Sequence, residues 1–77
     1  MDWKTRIVAN PAILAGKPVI KDTRLSVEFI LDLFAQGWDA QQVLNSYPQL
    51  TAADLQAVFA YTSACLKDEE LIALKRI

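Results

Sequence analysis

The sequence predicts a mainly α, single-domain bundle of three helices behind a short N-terminal β arm, with the second and third helices spaced as a helix-turn-helix. Three observations predict it. Three stretches carry apolar residues at helical spacing, each opened by a capping residue; the chain before them is punctuated by Gly and Pro and holds only short extended pieces. A length of 77 residues allows one domain with a small core.

The arm spans residues 5–25. Arg6-Ile7-Val8-Ala9 is a short extended candidate, ended by Asn10-Pro11, a pair that initiates turns. Gly16 and Pro18 bracket a second turn, and Val19-Ile20 after it forms the other extended piece.

Ser26 is a natural N-cap for a helix near 26–36, in which Val27, Ile30, Leu31 and Phe34 form one apolar stripe and Gly37 is the residue that stops it. Asp39-Ala40-Gln41-Gln42 has capping-box spacing and opens a helix over 39–47, with Val43, Leu44 and Tyr47 on its apolar face. Pro48 ends it after two turns, because a residue before proline is pushed out of helical geometry. Thr51-Ala52-Ala53-Asp54 is a second capping signature for a helix over 51–66, in which Leu55, Val58, Phe59, Thr62 and Leu66 track one face.

Ala57, Ala60, Tyr61, Ala64 and Cys65 lie elsewhere on its circumference, so this helix is either central or covered by another chain. Cys65 is expected to pack as a small apolar residue. Phe34, Tyr47 and Phe59 follow the stripes and are expected in the core. The domain therefore covers 1–66, and 67–77 is a C-terminal extension that the pattern allows to continue the last helix.

Hydrophobic residues make up 53% of the chain, a high share for a small domain with no long apolar run. That surplus points to an interface with a second copy or a partner. No stretch approaches the roughly 18 apolar residues of a membrane span, and Met1-Asp2-Trp3-Lys4 lacks the apolar core of a signal peptide, so a cytoplasmic protein is expected. A single cysteine excludes an internal disulfide.

The net charge of −1 conceals a segregation. Residues 1–24 carry Lys4, Arg6, Lys17, Lys21 and Arg24 against Asp2 and Asp22, a balance of +3, whereas 25–66 carry Glu28, Asp32, Asp39 and Asp54 with no cation, a balance of −4. The last eleven residues are neutral on balance. A polyanion would meet the arm first.

With no His, one Cys and no carboxylate cluster on a predicted face, no metal or other cofactor is expected. Ser26, Ser46 and Ser63 have no base paired with them in the helical registers, so no catalytic residue is assigned and a non-enzyme is expected. Asp68-Glu69-Glu70 reads as a solvated charge run.

The helix-turn-helix spacing offers the start of the third helix to a major groove, where Thr51 and Gln56 could read base edges. Asp54 repels phosphate there, and Lys17, Lys21 and Arg24, with Lys4 and Arg6, are better placed to grip a backbone. Equally, those five cations fit a solvated surface with Arg24 paired to Asp22, Glu28 or Asp32. At the strand-to-helix junction Arg24 reads first as an anchor tying the arm to acidic residues of the first helix. Trp3, Trp38 and Phe29 lie off the helical stripes and are candidates for contact with a second copy or a partner protein.

Ile7-Val8-x-Asn10-Pro11-x-Ile13-x-x-Gly16-Lys17-Pro18-Val19-Ile20-x-x-Thr23-Arg24-Leu25-Ser26-Val27, then a Gly-ended helix, Gln42-Val43-Leu44-x-x-Tyr47-Pro48-x-Leu50-Thr51 and Asp54-Leu55-x-Ala57, together resemble the bacterial domain of unknown function 433 family over roughly residues 6 to 66. The resemblance implies a homeodomain-like helix-turn-helix fold with a short β element, and a VapB-like antitoxin associated with a PIN-like ribonuclease toxin. It also implies that sequence beyond the DNA-binding fold engages the toxin. Leu71, Ile72, Leu74 and Ile77 could then lie in a partner's groove with Lys75 or Arg76 against acidic active-site residues; alternatively they touch the domain's own core.

One departure concerns Asp22, where the family usually has Gly; if the turn needs positive φ, Asp is among the residues that tolerate it. The expected function is an antitoxin-like component that binds and neutralises a PIN-like ribonuclease, with operator DNA as a further ligand. A DNA-binding regulator with no toxin partner and a dimerisation scaffold are the alternatives.

Overall fold

The structure is a computed structural model that describes the backbone of residues 2–75 and the side chains of residues 2–67. Strands β1 (Ile7–Ala9) and β2 (Pro18–Ile20) precede helices α1 (Val27–Ala35), α2 (Ala40–Ser46) and α3 (Ala52–Lys75), with single 3-10 turns at Trp3–Thr5 and Leu14–Gly16. The strands form an antiparallel hairpin with Ile7 opposite Ile20, Val8 opposite Val19 and Ala9 opposite Pro18. Pro18 has no N–H to give and so takes the end of the ladder. On its other side Val19 bridges to Ser26, which locks β2 to the entry of α1. Val19 and Ile20 are consequently buried to 0% and 1% exposure.

The turn from β2 into α1 is closed by backbone and side-chain bonds. Ile20 N–H donates to Leu25 O at 3.0 Å and Thr23 N–H to Ile20 O at 3.0 Å. The Thr23 hydroxyl donates to Ile20 O at 2.7 Å and accepts Leu25 N–H at 3.0 Å. Asp22 sits in this turn at φ 64, the left-handed conformation that glycine supplies without strain.

Each helix starts and stops for a chemical reason. The Ser26 hydroxyl accepts Phe29 N–H at 2.9 Å. At the far end of α1, Gly37 at φ 98 lets its own N–H reach Phe34 O at 3.0 Å and Trp38 N–H reach Leu33 O at 3.1 Å, a Schellman stop. Asp39 and Gln42 form a reciprocal capping box on α2, with bonds of 2.8 and 2.9 Å. Thr51 and Asp54 do the same on α3, at 3.2 Å from Asp54 N–H to the Thr51 hydroxyl and 3.0 Å from Thr51 N–H to the Asp54 carboxylate.

Ile7, Ile20, Val27, Ile30, Leu33, Val43, Leu50, Leu55, Ala57 and Val58 make the core, so both strands and all three helices contribute to it. Its α1 stripe is Val27, Ile30 and Leu33, with Leu31 and Phe34 only half-buried at its edges. Two aromatic pairs brace α1 from outside: Phe29 meets Tyr47 at 5.6 Å and Phe34 meets Phe59 at 5.1 Å, both edge-on.

Three expectations for α3 are corrected. Phe59 and Leu66 are not core residues but stand 45% and 55% exposed, and Cys65 is exposed rather than packed. Two causes act. Phe59, early in α3, lies at the edge of the arc that Asp54, Leu55, Ala57 and Val58 bury, and it is covered on one side by Phe34. Cys65 and Leu66 are exposed because α3 is long: its 24 residues run about 36 Å at 1.5 Å per residue, so its later turns extend past the layer formed by α1 and α2.

Replacing Asp22 tests the turn. Asp22→Gly removes a left-handed side chain that makes no bond and is expected to raise the thermal midpoint by a few degrees, about 0.5 kcal/mol. Asp22→Val is expected to lower it by about 5 °C or more, both read by circular dichroism melting.

Candidate functional site

The arm's cations divide into held and free groups. Arg6 is held: its Nη1 donates to Asp54 Oδ1 at 3.0 Å, with the two side chains 40% and 12% exposed. Arg6, just before β1, is thereby tied to the first turn of α3, and Asp54, which in sequence reads as a repeller of phosphate, is instead neutralised. Lys17 faces Glu28 at 3.6 Å, with the two side chains 57% and 71% exposed, a surface pair worth about 0–1 kcal/mol.

Among the described residues those are the two salt bridges, so Lys4, Lys21 and Arg24 carry exposed charge outside them. This corrects the anchoring role expected of Arg24. Thr23 closes the turn and Arg6 ties the arm down, which leaves the Arg24 guanidinium in solvent.

Three surface depressions meet at the turn between β2 and α1. One of about 420 Å³ lies between Thr5, Arg6 and Lys21 on one side and Gln49 and Asp54 at the entry of α3 on the other. A second of about 510 Å³ is lined by Val8, Ile13 and Arg24 among others, and a third of about 450 Å³ by Leu14, Lys17, Arg24, Leu25, Ser26 and Phe29. Arg24 lines two of these depressions, together with Lys17 and exposed Leu14 and Phe29 in one and with Lys21 and exposed Val8 in the other.

The start of α3 is arranged differently. Thr51 is exposed but its hydroxyl caps Asp54, and Gln56 is exposed about 200° round the helix from Asp54 at 100° per residue, away from the Arg6 contact. Trp3 is half-buried against Tyr61, with ring centroids 4.9 Å apart and edge-on, and Trp38 is half-buried beside the core. The side chains of Leu71, Ile72, Leu74 and Lys75, and all of Arg76, lie outside the described residues.

Among the described residues no group of three His, Cys, Asp or Glu side chains comes together to hold a metal. No described helix is long and apolar enough to cross a membrane.

The family model described as protein of unknown function (DUF433) matches residues 7–62, most of the chain. The chain belongs to the DUF433 family. The DUF433 match runs from β1 to Thr62 in α3, and so contains Lys17, Lys21, Arg24, Trp38, Thr51 and Gln56 but neither Trp3 nor residues 71–76. Among solved structures this DUF433 chain is similar to a DUF433 member protein from Anabaena variabilis ATCC 29413, at TM-score 0.76 and 30% identity over 88% of this chain and 68% of that one. No curated protein matches it.

Leu14 and Ala15 are the features that sequence reasoning missed. Both hold positive φ, 49 and 56, ahead of Gly16 at 84, and nothing in a Leu-Ala pair signals a left-handed turn.

At the other end of the arm, the Cys65 side chain one turn along α3 and partial burial raise the Tyr61 phenol above its ordinary 10.0. The folded state holds this proton more tightly, so its contribution to stability is intact below 10.0 and is lost as pH rises beyond it. In a Tyr47→Phe background, spectrophotometric titration is expected to give a midpoint above 10.0, and Cys65→Ala to bring it back towards that value.

Proposed function

We propose that the chain is a non-enzymatic binding module, the antitoxin-like component of a toxin-antitoxin module, which binds and neutralises a PIN-like ribonuclease and takes operator DNA through its arm. In this reading the chain is a homo-oligomer, and α2 and α3 form a homeodomain-like helix-turn-helix. The observation that carries it is the exposure of Lys21 and Arg24 on one braced turn, with Lys17 beside Arg24 in a shared depression and the exposed apolar side chains Val8 and Leu14 next to them. Cations beside apolar side chains suit a macromolecular partner, and the carboxylates of a nuclease active site or the phosphates of DNA both complement Lys21 and Arg24.

Base reading by α3 has less support. Thr51 is engaged in its own cap, and the cations lie on the arm rather than beside Gln56. DNA binding through the arm is therefore expected to depend on salt more than on sequence.

Co-expression with the product of the adjacent reading frame tests the reading. A stable complex by size-exclusion chromatography together with restored growth is expected; elution of the chain alone with no rescue contradicts the antitoxin role. Lys17→Ala/Lys21→Ala/Arg24→Ala is expected to abolish promoter binding at moderate salt and to reduce the slope of log K against log salt by about 2 to 3. Promoter binding that survives the triple replacement contradicts the arm as the DNA contact.

A further inference from the structure

The groove beside Arg24 and the outer face of α1 form one continuous surface. Leu14, Leu25 and Phe29 floor the groove, and Lys17 and Arg24 rim it. Leu14 and Phe29 are 45% and 38% exposed, so two large apolar side chains stand in solvent at the same place. Leu14 is held there by the left-handed turn through Leu14, Ala15 and Gly16, a conformation that costs about 1–2 kcal/mol for each non-glycine residue. Strain of this kind persists where the surrounding structure enforces it and concentrates at functional positions.

The outer face of α1 continues from that groove. Glu28, Phe29, Asp32, Ala35 and Gln36 are all exposed and fall within about 120° of one another at 100° per residue. Cations thus stand at the arm end of this surface and carboxylates along the helix. Lys17 and Glu28 face each other within the chain, whereas Arg24 and Asp32 have no salt-bridge partner among the described residues.

We propose that this surface is a two-fold contact with a second copy of the chain, in which Arg24 of each copy pairs with Asp32 of the other and Leu14 and Phe29 are covered. An isologous contact needs a patch complementary to itself, and this one carries both halves of the ion pair with apolar side chains between them. Two α1 helices crossing antiparallel with the arm end of one over the Asp32 end of the other meet near Glu28, whose charge is balanced within its own chain by Lys17 at 3.6 Å. Charge favours a second copy over other occupants. Glu28 and Asp32 on the same face oppose phosphate, and an acidic peptide would satisfy Arg24 while leaving Asp32 unanswered. The proposal rests on the homo-oligomer part of the reading above and specifies its surface; in that dimer Arg24 and Leu14 are covered, and Lys21, outside the groove, is the cation of the turn left to meet DNA or a nuclease.

Sedimentation equilibrium on the full chain, on Arg24→Glu, on Asp32→Arg and on their equimolar mixture tests it, with circular dichroism to verify that each variant folds. The wild-type chain is expected at twice its monomer mass, and each reversal to raise the dissociation constant about tenfold or more through two repulsive contacts. The mixture is expected to restore the dimer, since each variant supplies the charge the other lacks. A dimer unmoved by either reversal, or one that the mixture fails to restore, overturns this surface and leaves the homo-oligomer reading standing. A wild-type monomer at the highest soluble concentration overturns both.

Discussion

The contact between Arg6 and Asp54 is the constraint on which the rest of the arrangement depends. It spans 48 residues of sequence and joins the start of β1 to the first turn of α3. One carboxylate serves both ends: Oδ2 accepts Thr51 N–H and completes the helix cap, while Oδ1 accepts the Arg6 guanidinium. Asp54 is 8% exposed as a residue, and a carboxylate that sheltered is costly unless its lone pairs are occupied. The cap and the tether therefore support each other, and the β hairpin is held against the helices by more than the apolar contacts of Ile7 and Ile20.

That tether decides which cations the molecule can offer. Once Arg6 is engaged and Lys17 is loosely paired, the hairpin's unpaired positive charge lies at Lys21 and Arg24, on a turn that Thr23 braces with two side-chain bonds, with Lys4 exposed ahead of β1. A rigid turn holding unpaired cations needs little ordering to meet a partner, so more of the interaction free energy remains as affinity. The same turn borders three surface depressions, which links the strand-to-helix junction to the apolar groove over Leu14 and Phe29.

Local chemistry made much of the fold legible in the sequence. Ser26, Gly37, Asp39 with Gln42, and Thr51 with Asp54 mark helix ends through bonds within a few residues, and each mark corresponds to a bond or a positive φ in the structure. Asp22 belongs with them, since its place in the turn has the left-handed geometry that a usual glycine implies. What was not legible depends on distant contacts or on the extent of neighbouring layers. The partner of Arg6 lies 48 residues away, and Arg24 looked the better anchor because its candidate partners were close in sequence. Phe59 and Leu66 share a helical stripe with buried Leu55 and Val58, but periodicity cannot tell which way the covered arc is turned, which leaves Phe59 at its edge, nor where α3 outruns the elements that would cover Leu66. For the candidate site, the segregation of charge pointed to the arm, while the left-handed turn that exposes Leu14 left no mark in its residue types.

A double-mutant cycle on Arg6 and Asp54 tests the central claim most directly. Arg6→Met removes the guanidinium and keeps an apolar stem, and Asp54→Asn removes the charge while keeping an oxygen for Thr51 N–H. Chemical denaturation of the four proteins is predicted to give a coupling free energy of about 1 kcal/mol or more, within the range for hydrogen bonds to charged groups after allowance for the exposure of Arg6. Single-variant effects that add to within about 0.3 kcal/mol would contradict the account, and would mean that the hairpin is held by apolar packing alone.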